Sequence, residues 1–492
     1  LVGSNMHWNS QSLILFCLLT FRLVKMKANH RIAFFRFFSF SGMLLISSLL
    51  ISLPTFANPH EYLLDNGLKL IVKQDHRSPV VVTQIWYKAG SIDEVNGVTG
   101  VAHVLEHMMF KGTEKVPNGE FSKRIAAAGG RENAFTSYDY TAYYQQLHKR
   151  SLPMAMELES DRMRNLILTE EEFSKEIKVV MEERRLRTDD QARALLYEKM
   201  MAMAYQSHPY KNPIIGWMDD LENMRVGDAQ EWYDRWYAPN NAILVVVGDV
   251  DANEVLKLAQ KNYGIIQKRS LLPINVRKPQ TEPPQVGTKR ITVKAPAELP
   301  YLIMGYHAPV IRNVTEDWEP YALEILEGVL DGNASARLNK SLVRENQIAN
   351  SASAGYGAMA RGPSIFFLSA VPRAGKTVVE LEQALRGEIE KIIKEGVTEE
   401  ELARVKAQVV ASHVYQRDSI YSQAMQLGRL ESMGLSFRDI DTILEKLKAV
   451  TAEQIRDVTK KYFNDDSLTV AVLDPQPLDK KLPAKAPAGL RH

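Results

Sequence analysis

Three observations predict an α+β fold built from two homologous domains. The 492 residues are 45% hydrophobic and 24% charged, an ordinary globular balance with room for two or three domains. Two stretches about 225 residues apart read alike: WYAPNNAILVVVGDV from Trp236 aligns with KYFNDDSLTVAVLDP from Lys461, pairing Tyr237 with Tyr462, Val245 with Val470 and Asp249 with Asp474. Each is an aromatic, a polar turn and then an apolar strand. Upstream, the helical EEFSKEIKVVMEE from Glu171 aligns with EELARVKAQVVAS from Glu400, pairing Val180 with Val409. The repeats fall in the same order, which is the pattern of a duplicated domain.

Taken from the start, residues 1–57 carry five basic side chains and no acidic one. Leu1 to Lys25 reads as an upstream extension. From Met26 a short basic stretch precedes an uncharged, mostly apolar run from Phe37 to Phe56 and the small Ala57, the order of a secretory signal peptide. Cleavage after Ala57 would leave Asn58 as the mature N-terminus in an exported compartment, periplasmic or secreted. The competing reading is an uncleaved membrane anchor, disfavoured by five serines and by Pro54 within the run. The first domain spans 58–268. A stretch rich in proline, 269–288, suits an extended linker. The second domain spans 289–475, and the tail 476–492, rich in Pro, Lys and Ala, is expected to be disordered. The formal charge of +2 leaves no electrostatic footprint for nucleic acid. The only cysteine, Cys17, lies in the leader, so any metal in the body must be held by His and carboxylates.

The informative segment is Gly97 to Thr113, GVTGVAHVLEHMMFKGT. Val101, Val104, Leu105, Met108 and Met109 form the stripe of an amphipathic helix, with Thr99 available as N-cap and Gly112 as terminator. His103 and His107 lie four residues apart on one helical face and can converge on a single ion, with Glu106 beside the second. This is H-x-x-E-H, the inverted form of the zinc-hydrolase motif. Two histidines do not complete a catalytic zinc site, so a third ligand must come from elsewhere. Thr169 and Glu172 read as a capping box opening a mainly helical stretch from Glu170 to about Tyr205. Glu176 and Glu183, seven residues apart, share its apolar face and need a partner there. Glu182 is expected on the solvated side, paired with Lys178. The run GGRENAFTSYDYTAYYQQL from Gly129 alternates as an exposed strand does.

GVAHVLEHMMFKGT followed some 75 residues later by VVMEER resembles the M16 zinc peptidases, the inverzincins that include pitrilysin, insulin-degrading enzyme and the mitochondrial processing peptidase. The resemblance runs from LDNGLKLIVKQD at Leu64 through both halves. It implies two homologous domains, each a mainly antiparallel sheet packed with helices. It also implies one Zn²⁺ per chain on His103, His107 and Glu183, Glu106 as catalytic base, and Glu176 as a supporting carboxylate behind the ligands. By the same resemblance Asn133 and Ala134 lie on an edge strand that takes a substrate peptide by β-augmentation, a mode with little demand on sequence.

The second copy departs from the pattern. Glu183 falls opposite Ser412, and LEILEGVLDGNASARL contains no His, so this half cannot build the same metal site. Active members of the family carry an Arg and then a Tyr in a non-catalytic half, holding substrate and stabilising the oxyanion. Here LVRENQIANSASAGY supplies Arg344 but has Asn350 and Ser351 where the Tyr would fall, and Tyr356 comes several residues late. The resemblance therefore implies a homodimer or a heterodimer with a second M16-like subunit supplying Arg and Tyr, unless Tyr356 or a water held by Asn350 substitutes. The expected activity is a zinc metalloendopeptidase cutting peptides or unfolded segments. The alternative is a non-enzymatic peptide-binding or scaffolding subunit.

Overall fold

The computed structural model describes residues 58–270 and 281–478. The leader with its expected cleavage point, part of the linker and the tail beyond Leu478 lie outside the described residues.

The described residues build two sheets. The first contains β1 (His60–Leu63), β2 (Lys69–Gln74), β3 (Val80–Tyr87), β4 (Arg131–Thr136), β5 (Thr141–His148) and β6 (Ala242–Gly248), in the order β1-β2-β6-β3-β5-β4. The second contains β7 (Lys289–Pro296), β8 (Tyr301–Ala308), β9 (Ala349–Gly355), β10 (Ser364–Pro372) and β11 (Leu468–Gln476), in the order β7-β11-β8-β10-β9. Each sheet is antiparallel except at one pairing: β2 runs parallel to β6, and β7 parallel to β11. The strands aligned by the sequence repeat, β6 and β11, thus occupy the same slot. β4 and β9 are the corresponding edges.

The helices of the first half are α1 (Val101–Met108), α2 (Glu120–Ala127), α3 (Leu152–Asn165), α4 (Glu170–Arg184), α5 (Ala192–Ala204), α6 (Met218–Asn223), α7 (Val226–Trp236) and α8 (Ala252–Asn262). Those of the second are α9 (Glu319–Asp331), α10 (Val378–Glu395), α11 (Glu399–Gln416), α12 (Ile420–Ser432), α13 (Ile440–Ala449) and α14 (Ala452–Tyr462). Among the described residues no helix is long and apolar enough to cross a membrane.

The stretch from Glu170 to about Tyr205 is mainly helical as expected, but it is two helices separated by a π turn over Arg185–Asp189. Buried Arg184 fixes the break, its Nη1 donating at 2.8 Å both to Glu198 Oε2 on α5 and to the Gly216 carbonyl. The break sends α5 across to the other half, where Leu196 and Met200 pack on Ile303, Ala471 and Leu473 of the second sheet. The exchange is reciprocal. Ala424 and Leu427 of α12 pack on Ile71, Val82, Trp86, Ile243 and Val245 of the first sheet. Each sheet is covered on one face by its own helices and touched on the other by a helix of the opposite half. For the first sheet this explains why β6 reads as an unbroken apolar run and not as an alternating one.

Candidate metal centre

All eight residues of α1 are buried, the histidines included. Its N-terminus is not capped by Thr99 as expected. Gly100 is the N-cap, in the left-handed region at φ 87°, and it makes no side-chain cap. The Thr99 hydroxyl instead donates to Asp220 Oδ2 at 2.5 Å and accepts from the Trp217 N–H at 3.0 Å. Glu94 takes over at the helix end, accepting the N–H groups of Gly100 and Ala102 at 2.9 Å each, while burial raises its carboxyl to about 8. The backbones of Gly100 and Gly216 meet closely: a Cβ on Gly216 would lie 2.4 Å from the Thr99 carbonyl oxygen. The opening turn of α1 is therefore held by a loop more than 100 residues downstream.

His103, His107 and Glu183 each offer a ligand atom, and these atoms lie within 4.8 Å of one another. Glu183 Oε2 is 3.3 Å from His107 Nε2 and 3.9 Å from His103 Nε2. Glu176 Oε1 lies 2.9 Å from His107 Nδ1, which leaves Nε2 turned to the cluster, and Lys111 pairs with its other oxygen. Arg187 pairs with Glu183 Oε1 at 2.5 Å. Glu182, one residue away, is exposed; its partner is Arg185 at 3.2 Å, its i+3 neighbour, and not the expected Lys178. The capping box at Thr169 is half formed. Thr169 Oγ1 accepts the Glu172 N–H at 3.2 Å, but the Glu172 carboxylate reaches Asn118 Nδ2 at 2.9 Å.

Two buried imidazoles and one buried carboxylate are a donor set that suits zinc, with room for a non-protein fourth position. Burial opposes charge on His107, yet the carboxylates of Glu176 and Glu183 outweigh it and raise the ring to about 9. Burial likewise works against ionised Glu183, but the two histidines and Arg187 hold it down at about 2. Glu106 is 3% exposed, and burial raises it to about 7 even though Thr136 Oγ1 donates to it at 2.5 Å. A carboxyl poised near neutrality beside the cluster has the property of a general base.

The cluster opens on a cleft of about 510 Å³ whose walls include His103, Glu106, Glu183 and the β4 segment from Asn133 to Thr136. Asn133 and Ala134 do lie on the edge strand. Arg344 does not line this cleft; it stands on the wall of a different cavity in the second half. Tyr356 is also elsewhere, with its hydroxyl given to the Pro309 carbonyl and its ring stacked on Phe366. Sequence reasoning missed Thr136, Glu94 and Tyr421. Tyr421, from α12 of the second half, lines the cleft and packs edge-on against Tyr144 at 4.9 Å. Only the helix exchange brings it there.

Residues 69–217 match the family described as Insulinase (Peptidase family M16), and residues 223–409 match the Peptidase M16 inactive domain. A zinc protease of Helicobacter pylori, PqqE, is 30% identical over 453 residues, covering 89% of this chain and 99% of that protein. The chain belongs to the M16 peptidase family. Relatives named uncharacterized zinc proteases include one from Bacillus subtilis, 23% identical over 414 residues, covering 84% of this chain and 98% of that protein. The crystal structure of a protease from Helicobacter pylori superposes with a TM-score of 0.80 at 29% identity, covering 85% of this chain and all of that one. The periplasmic protease PqqL of Escherichia coli shares the M16 fold, with a TM-score of 0.73 at 19% identity over 87% of this chain and 49% of its own.

Proposed function

We propose that this M16 chain is a zinc-dependent metalloendopeptidase acting on peptides or unfolded protein segments, with residues 58–268 as the catalytic half and 289–475 as the non-catalytic one. The observation that carries the reading is the buried convergence of His103, His107 and Glu183 with Glu106 beside them. A scaffolding role gives no reason to gather two imidazoles and a carboxylate in a buried cluster, since burying polar and charged groups costs free energy.

In this reading one Zn²⁺ is held by His103, His107 and Glu183. Zinc in such a site acidifies water and polarises a carbonyl. Glu106 takes the proton of the attacking water and hands it to the leaving amine. Glu176 keeps His107 in the tautomer that presents Nε2. The free edge of β4 at Asn133 and Ala134 pairs with the substrate backbone, laying an extended chain across the cleft. A second M16-like subunit carrying the Arg and Tyr completes the site, in keeping with the positions of Arg344 and Tyr356 away from the cleft. The basic, then apolar, leader and the name of periplasmic PqqL support an exported, periplasmic location.

The test is metal content and peptide cleavage of the purified protein. Glu106→Gln is expected to retain stoichiometric zinc and lose cleavage, whereas His103→Ala and His107→Ala lose the metal. Full turnover by zinc-loaded Glu106→Gln removes the assigned base. Cleavage by the lone wild-type chain at a rate that an added partner does not improve removes the partner.

A further inference from the structure

The β4 strand carries more than an open edge. Thr136 ends it, two residues beyond Ala134 and so on the same face of the strand, and its hydroxyl is the group that meets Glu106 Oε2 at 2.5 Å. Its cross-strand partner is Thr141, whose hydroxyl lies 3.0 Å from the Ala89 carbonyl oxygen. A carbonyl only accepts, so the Thr141 proton is committed there. The Thr136 oxygen is 3.4 Å from that of Thr141, against 2.5 Å from the carboxylate. In the ionised form that acts as base the Glu106 carboxylate only accepts, so the single Thr136 proton is then directed at Glu106.

We propose that Thr136 is a positioning residue for the base: it holds Oε2 of Glu106, leaving Oε1 as the oxygen that receives the proton from water. The inference rests on the assignment of Glu106 as base and deepens it. A glutamate has three side-chain torsions to fix, and a short charge-assisted bond at one oxygen fixes the orientation of the other. The arrangement also ties two parts of the reaction together, because the strand whose edge would receive the substrate is the strand that holds the base.

Thr136→Val keeps the β-branched shape that suits a strand while deleting the proton. In the zinc-loaded protein it is expected to lower kcat about tenfold or more, the scale of a lost bond to a charged group, and to leave KM and zinc affinity by chelator competition unchanged. Thr136→Ser is expected to restore kcat. A second readout needs no turnover: in the metal-free protein, Thr136→Val and Glu106→Ala together should shift the unfolding midpoint by less than the sum of their separate shifts. If the valine variant does not fold, Thr136→Ala is read in the same way. An unchanged kcat, an effect on KM alone, lost zinc affinity, failure of serine to rescue, or additive midpoint shifts would each overturn the proposal. Retained cleavage by Glu106→Gln would overturn this role and the base assignment together. Loss of cleavage in Glu106→Gln with an unaffected Thr136→Val would overturn only the role of Thr136.

Discussion

Three glutamates on one helix, α4, have three different environments. Glu183 is 1% exposed and its Oε2 faces both histidines; Glu182 is exposed and paired with Arg185; Glu176 stands behind His107. Substitution should sort them by zinc affinity. In the proposed zinc site Glu183→Gln would remove a negative ligand and is expected to lose the metal, while Glu182→Gln is expected to leave affinity unchanged. Glu176→Gln is expected to weaken zinc by about 10- to 100-fold, the usual effect of removing a carboxylate that orients a ligating histidine. Chelator competition on the purified variants checks all three. The helical face separated Glu183 from Glu182 in the sequence because the spacing of a helix is fixed, and His103, Glu106 and His107 were legible for the same reason. Thr136, Glu94 and Tyr421 were not, since each reaches the site from another element. Thr99 had the right residue type for a cap, but a tertiary contact with Asp220 claimed its hydroxyl.

Local propensity served well where an element's ends are decided locally. In α11, Thr398 and Glu401 form a reciprocal capping box, and Glu401 also receives Arg337 through Nε at 2.8 Å and Nη2 at 2.7 Å. The Arg337 bonds, with those from Thr398, hold the Glu401 carboxyl down at about 2 against the cost of burial. A carboxyl whose pKa is lowered on folding contributes stability above its ordinary value of about 4.3, and that contribution is lost as pH falls toward 2. Glu401→Gln keeps a capping side chain and removes the charge. It is expected to cost roughly 1 kcal/mol at pH 7, partly screened by solvent, and progressively less as pH falls to 2, so the two unfolding midpoints should converge on acidification. Parallel curves from pH 7 to pH 2 would show that the charge is not what matters. Propensity failed where α4 meets α5, because residues on both sides favour helix. The break is imposed by Arg184, Glu198 and the need for α5 to cross to the second sheet. A duplicated helix and strand were readable from one chain; an exchanged helix was not, since nothing in an apolar stripe says which sheet it will cover.

The exchange packs each half against a helix of the other, and in each direction a glycine lies against the opposite half. On α12, a Cβ at Gly428 would lie 2.1 Å from Trp86 Cε2; on β8, a Cβ at Gly305 would lie 2.2 Å from Met200 Cε of α5. The neighbours differ in how far they can yield. Trp86 is fully buried, its Nε1 donates to Gln84 Oε1 at 2.9 Å, and its ring meets Phe135 and Tyr140 edge-on. Met200 offers the far end of a flexible thioether that can change rotamer. Alanine at 428 gains up to about 1 kcal/mol of helix propensity, yet the clash with an immobile ring is the larger effect, so Gly428→Ala is expected to destabilise by about 1 to 3 kcal/mol. Gly305→Ala should cost less, the Ile365 methyl at 2.8 Å being its harder contact. The two variants should also differ in function. Displacing α12 withdraws Tyr421 from the cleft and disturbs Phe135 on the edge strand, whereas displacing the Met200 methyl leaves both in place. Gly428→Ala is therefore expected to weaken peptide binding with zinc affinity intact, and Gly305→Ala to leave both unchanged. Denaturant unfolding and peptide titration of the zinc-loaded variants check this; equal losses from the two glycines would mean that the helix crossings bear on the cleft only through global stability.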